Sequence, residues 1–243
     1  MLYLEYYKKI REIEERIICD EKNMILKVAR LMSDTIKNDG LIHIFGCGHS
    51  HIMAEEAFYR AGGLVQANPI LDSAIMLHEG AVKSSKMEKM ESYAPYILDN
   101  YRVQKNDIIF VFSTSGVNGC PVEMVLYAKS KGLKTVVVTS LAYKEETSCH
   151  SSGKKLYEVA DYVIDNHAPR GDVLVELEAS DRKIGSGSTI FGVFIWNMLI
   201  CQLAEELINQ GIPAKFFTSG NIPGGLEKNM AYIEEYKDRI KLL

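Results

Sequence analysis

The sequence predicts a doubly wound α/β fold in one domain. Short runs rich in Ile, Val and Phe alternate with helical patterns, as expected of strands buried on both faces of a parallel sheet. Two of the strand-to-helix junctions carry loops rich in glycine and hydroxyls. The chain of 243 residues is 47% hydrophobic and 25% charged, long enough to bury a sizeable core without disulfides.

The elements follow in order. Residues 2–38 read as one or two helices, because Ile10, Ile13 and Ile17, then Met24, Val28 and Leu31, recur at three- and four-residue steps. Gly40 ends this region. The stripe is expected to face the core, with a share of it available to a dimer. Strands are expected at 41–45 ("LIHIF"), 64–67 ("LVQA"), 107–112 ("DIIFVF"), 134–140 ("KTVVVTS") and 161–165 ("DYVID"). Helices are expected at 51–61 and 121–131. Residues 80–106 are polar and longer than a simple connection, and read as a solvated insertion in preference to a helical lid. Another apolar run, "DVLVELE", starts at 172. A long helix is expected over 188–210, and a last one near 227–241 after the turn-rich "TSGNIPGG".

Composition excludes several classes of function. The formal net charge of -4 argues against a nucleic-acid partner, which requires a basic face. The cysteine count, 5, is odd and no CxxC spacing appears, so reduced thiols in a cytoplasmic protein are expected. The N-terminus has no apolar core of signal-peptide length. The run "IFGVFIWNMLI" is too short to span a bilayer and contains Asn197, so no membrane association is expected.

The first loop, Gly46-Cys47-Gly48-His49-Ser50, follows a strand and precedes a helix. A dinucleotide fingerprint needs a third glycine where His51 stands, and a P-loop needs a GK[ST] that is absent. No cofactor is therefore expected. Glycines let the backbone turn tightly near a ligand. Ser50 stands where the helix N-cap should be, a position that favours an anion. The alternative is that Ser50 only caps its helix. A second loop, Ser113-Thr114-Ser115-Gly116-Val117-Asn118, has the same plan, with Pro121 suited to the first helical turn. If the strands at 41 and 107 are neighbours, both loops open at one topological switch point. Two hydroxyl-bearing helix starts facing one crevice suit a single phosphate, without a P-loop lysine or an evident acidic pair for magnesium.

These two loops with their strands resemble the sugar isomerase (SIS) domain family, which binds phosphosugars. The resemblance covers residues 38–210, with 1–38 as N-terminal helices, 39–210 as the phosphosugar-binding core and 211–243 as a tail and helix. It implies a five-stranded parallel sheet of flavodoxin-like order flanked by helices, and a homodimer or homotetramer. It assigns the phosphate to Ser113 and Ser115, with Thr114 and Gly116 in the same loop. Gly46, Gly48, His49 and Ser50 form the other wall. Many members have threonine where Asn118 stands.

The implied activity is aldose–ketose isomerisation of a sugar phosphate, which needs a base and a group to polarise the carbonyl oxygen. His78-Glu79 resembles the HGD segment of arabinose 5-phosphate isomerases, with Glu-Gly in place of Gly-Asp. Glu55 and Glu56 resemble the "AEEL" of phosphoheptose isomerases at a different offset from the serine, and Glu56 is kept as a third catalytic candidate. His167 is expected at the crevice end of its strand, in contact with substrate. His49 and His51 stand two apart but lack an obvious third ligand, so no metal is expected. A helix N-terminus would lower the pKa of Cys47, although a small residue packed in a tight loop is the preferred reading. Lys183 stands where etherases of the family carry glutamate, which counts against that reaction. Alternatives are another reaction on an aminosugar phosphate and a non-catalytic sensor. The region 1–38 is too short and too little basic for the DNA-binding domain of a regulator.

Overall fold

A computed structural model describes residues 1–178 and 180–243. Strands β1 (Ile42–Gly46), β2 (Ala67–Pro69), β3 (Ile108–Phe112), β4 (Lys134–Thr139) and β5 (Tyr162–Asp165) form one parallel sheet in the order β2-β1-β3-β4-β5. This is the expected flavodoxin-like order. The chain steps out from β1 to β2 and then crosses back to β3. The switch point therefore lies between the C-terminal ends of β1 and β3, where ligands bind in such sheets.

The central strands are mostly apolar because both faces are covered. Ile42, Ile44, Phe110, Phe112, Val136 and Val138 point to one face, and Phe45, Ile109, Val111 and Val137 to the other. The first face packs against α1 (Leu2–Asp20), α2 (Lys22–Lys37), α3 (Ile52–Ala57) and α8 (Ser188–Asn209). The second packs against α5 (Ala94–Leu98), α6 (Gly119–Ser130) and α7 (Leu156–Val159). Burying an Ile, Leu or Phe side chain stabilises by about 1.5–3 kcal/mol, so such pairs of faces set the register of the whole sheet.

Several boundaries differ from expectation. Strand β2 lies later than 64–67, because Leu64 bridges Phe216 and Val65 donates to Lys215. Pro69 fits there because it ends an edge strand. The run at 172 forms β6 (Val173–Glu176), which pairs antiparallel with β7 (Lys183–Ser186). The last helix, α9, covers Gly225–Tyr236 and ends short of 241. The run at 190–200 forms the first half of helix α8, whose full length passes the length and composition required to cross a bilayer. Here it lies against α2, with Phe191, Ile195, Trp196, Leu199 and Leu203 buried in the core. The Trp196 ring meets Phe110 edge-on at 5.5 Å.

The solvated insertion expected at 80–106 is also corrected. It contains α4 (Ala81–Lys89) and α5, and tertiary contacts hold both. Ser84 is buried and donates to the Ile75 carbonyl at 2.8 Å. Glu123 of α6 accepts from the Ser92 amide at 2.7 Å and the Ala94 amide at 3.2 Å. Any side chain at Gly119 would bring its Cβ to 2.7 Å from the Lys89 carbonyl oxygen, so only glycine lets α4 approach α6 this closely.

The opposite end of the sheet is tied by a buried polar hub. Asp107 is fully buried and accepts from the Leu41 amide at 2.7 Å, His43 Nε2 at 3.0 Å and Arg239 Nη2 at 2.9 Å. Asn68 meets the other ring nitrogen of His43 at 3.0 Å. The segment after α9 is thereby fastened to the starts of β1 and β3.

Candidate functional site

The first loop turns sharply at Gly46. A Cβ there would lie 2.2 Å from the Ser50 carbonyl oxygen, a backbone atom that cannot move aside. Gly48 has φ +56, which glycine adopts without strain. Residues Gly48–His51 make a 3-10 turn before α3. Ser50 lies inside that turn, and neither the turn nor α3 has a side-chain cap. The expectation that Ser50 caps the helix is corrected, and its side chain lines a crevice instead.

The second loop is held from behind. The Ser113 amide donates to Val138, Ser140 donates to the Thr114 carbonyl at 2.9 Å, and Leu156 donates to Gly116 at 2.8 Å. The Ser113 hydroxyl sits 3.4 Å from the Gly116 amide. Asn166 donates to the Thr114 hydroxyl at 3.3 Å. Gly116 has φ +63, and a Cβ there would meet the Thr139 hydroxyl at 2.6 Å, so this position admits only glycine.

Both loops open on one crevice of about 310 Å³ at the switch point. Gly48, His49, Ser50, Ser113, Thr114, Ser115 and Asn118 line it, while Gly46 and Gly116 shape the loops from behind. A void beneath reaches Ser188 and Thr189 at the start of α8. That helix start is capped by Asp172, whose carboxylate accepts from the Ser188 amide at 2.7 Å, the Ser188 hydroxyl at 2.6 Å and the Gly187 amide at 3.1 Å.

The structure does not bring the other expected residues into this crevice. His78 and Glu79 are exposed beside its rim, and Glu79 pairs with Lys83 at 2.8 Å. Its pKa is lowered by the Lys83 contact. Glu56 pairs with Arg60 on the outer side of α3. His167 lines a separate cavity beneath α1, where Glu21 lies 3.4 Å and Asp165 3.5 Å from its ring nitrogens. The strand-end argument for His167 fails because β5 is the far edge strand, away from the switch point. His51 turns away from His49: its Nδ1 meets Glu55 at 3.0 Å, and its Nε2 is buried with no partner among the described residues. Burial lowers the His51 pKa. No three His, Cys, Asp or Glu side chains converge in metal-site fashion among the described residues. Burial also pushes the Cys47 thiol well up, helped by contact with Cys120, which reverses the lowering expected from a helix start.

Sequence reasoning missed Glu88, Asp172, Ser84 and Tyr143 in the crevice wall. Burial raises the Glu88 pKa, against the opposing effects of an Asn118 hydrogen bond and Lys89. Nothing local in "KSSKMEKMES" marks Glu88, and only the packing of α4 brings it inward.

Fold and site together define a doubly wound α/β domain with a hydroxyl-lined crevice at its switch point. The chain belongs to the SIS domain family, which it matches over residues 5–140. It is 43% identical over 240 residues to a UPF0309 protein of Geobacillus thermodenitrificans (98% of this chain, 96% of the relative). It is 44% identical over 247 residues to a UPF0309 protein of Caldanaerobacter subterraneus subsp. tengcongensis (100% and 99%). Among solved structures, the phosphoheptose isomerase of Neisseria gonorrhoeae superposes with a TM-score of 0.52 at 18% identity, covering 83% of this chain and 95% of that one. The phosphoheptose isomerase of Francisella tularensis gives 0.52 at 17%, covering 82% and 95%. These two share the fold.

Proposed function

We propose that the protein binds a phosphorylated sugar in this crevice and interconverts its aldose and ketose forms by proton transfer. The observation that carries the reading is the convergence of Gly48–Ser50 and Ser113–Asn118 on one crevice at the switch point. Hydroxyls and backbone amides there suit a phosphate monoester, and membership of the SIS family supports the same ligand class. Isomerisation follows the phosphoheptose isomerases that share the fold. The test is proton exchange in deuterated water, followed by NMR across pentose, hexose and heptose phosphates. Enediol chemistry exchanges the proton next to the carbonyl whichever isomer is favoured. Binding without exchange would leave a phosphosugar sensor.

One observation favours a second reading, a reaction on an aminosugar phosphate. Glu88 and Asp172 line the crevice, and no lysine or arginine does among the described residues. An ammonium on the sugar would complement that charge, so glucosamine 6-phosphate belongs in the same screen.

The proposed assembly is a homo-oligomer. Ile18 and Leu26 stand exposed on a groove between α1, α2 and α8 that Phe194 and Met198 also line. Sedimentation as a monomer at micromolar concentration would refute it.

A further inference from the structure

We propose that Glu88 is the group that moves the proton between the two sugar carbons. This rests on the isomerase reading above. Its carboxylate lines the crevice together with Ser50, Ser113 and Ser115, so a ligand held by the two loops lies against it.

The setting of Glu88 differs from that of the other carboxylate, the thiol and the imidazole in the wall. Asp172 is occupied by capping α8, with two amides and a hydroxyl on its carboxylate. The Cys47 thiol is buried and pushed further toward its neutral form, by burial first and Cys120 second. His49 is exposed at the mouth, on the wall made by the first loop. Glu88 is partly buried, with the neutral Asn118 amide beside its carboxylate, and Lys89 follows it on the same helix. A carboxylate so placed is a stronger base than one in water, which suits proton abstraction near neutral pH.

The support for Glu88 is rigid. One turn earlier on α4, Ser84 is bonded to Ile75 and lies against Gly48 of the first loop. One residue later, the Lys89 carbonyl abuts Gly119 at the start of α6, just beyond the second loop. Helix α4 is thus wedged between the two loops, and any movement of Glu88 relative to the ligand is restrained from both sides.

The Glu88 carboxylate takes the proton from C2 of the open-chain aldose phosphate. The electron pair of that C–H bond forms C1=C2, and the carbonyl pair moves to O1, which takes a proton from water. The O2 hydroxyl then returns a proton to water as C2=O2 forms, and the C1=C2 pair takes the proton back from Glu88 at C1. No oxidant or metal enters the balance.

The experiment compares wild type, Glu88→Gln and Glu88→Asp on ribose 5-phosphate, glucose 6-phosphate, glucosamine 6-phosphate and sedoheptulose 7-phosphate. Solvent exchange is read by NMR and binding by the ligand-induced rise in melting temperature. Glu88→Gln should lower kcat for exchange by roughly 100- to 10,000-fold with KM and the melting response within a few-fold of wild type. Glu88→Asp should recover part of the rate. Full exchange by Glu88→Gln overturns the proposal and leaves the isomerase reading standing. Loss of the melting response together with exchange also overturns it, because that is the mark of a binding or packing role. Exchange of no sugar phosphate by the wild type overturns the isomerase reading, and this assignment with it.

Discussion

Ser115→Ala is the cleanest perturbation of the second loop. The bonds that hold this loop run through Ser113, Thr114, Gly116 and Val117, and they leave Ser115 facing the crevice. A hydrogen bond to a charged group is worth about 1.5–3 kcal/mol, so losing one to a phosphate should weaken binding by about 13- to 160-fold. A ligand at 100 times Kd stabilises the wild type by about 2.7 kcal/mol. At the same concentration the variant would gain only about 0.3–1.3 kcal/mol. For a chain of this size each kcal/mol moves the melting temperature by about 2–4 °C. The wild type should therefore shift by about 5–11 °C and the variant by about 0.6–5 °C. Scanning fluorimetry with and without sugar phosphates reads both numbers, with the unphosphorylated sugars as the control. Without ligand the two proteins should melt together. An undiminished shift in the variant would show that this hydroxyl does not hold the phosphate, and a variant unstable without ligand would show that it serves the loop.

Other outcomes follow from the same geometry. Gly46→Ala drives a Cβ to 2.2 Å from the Ser50 carbonyl oxygen, so urea unfolding should show a loss of at least about 1–3 kcal/mol, and the ligand shift should vanish with the loop. Asp107→Ala strands His43 and Arg239 and should cost about 3–5 kcal/mol at neutral pH. Burial opposes ionisation of Asp107, but its His43 partner and backbone amides hold its pKa below the ordinary 3.8; its stabilisation is therefore complete above that value and fades as pH falls below it, narrowing the gap between the two proteins in acid. Burial raises Glu88 above 4.5, so the native state loses stability as pH rises through that window; Glu88→Gln should melt higher than wild type at neutral pH, with the difference gone by about pH 4.

The parts of the fold legible in the sequence are those whose signal is local. Strands β1, β3 and β4 read directly because both their faces are buried and each run is mostly apolar. Strand β7 did not, because every residue of Lys183–Ser186 is exposed and its pairing with β6 is a tertiary event. Helices α4 and α5 were hidden for a related reason. Only Ser84 of α4 is buried and α5 is a single short turn, and both are fixed by tertiary bonds such as those that the Ser92 and Ala94 amides donate to Glu123. The site divides in the same way. The two loops were legible because glycine and serine spacing is itself the geometry. Glu88 and Asp172 arrive through helix packing and a hairpin, with no motif around them.

The charge of the crevice bears on why a phosphate would be gripped by neutral donors. Among the described residues no lysine or arginine lines it, although the sequence has 28 of them. A lysine about 4 Å from Glu88 would interact with it by about 4 kcal/mol at an effective dielectric of about 20. At about 1.36 kcal/mol per pKa unit, that is about three units of lost basicity. A cation able to hold the phosphate would thus pair with the carboxylate and weaken it as a base. In the proposed site the hydroxyls of Ser50, Ser113 and Ser115 would hold an anion by direction, and they carry no net charge to Glu88. An anion site and an unpaired carboxylate coexist in a crevice this small only if the anion is held by dipoles, and both walls are built of them.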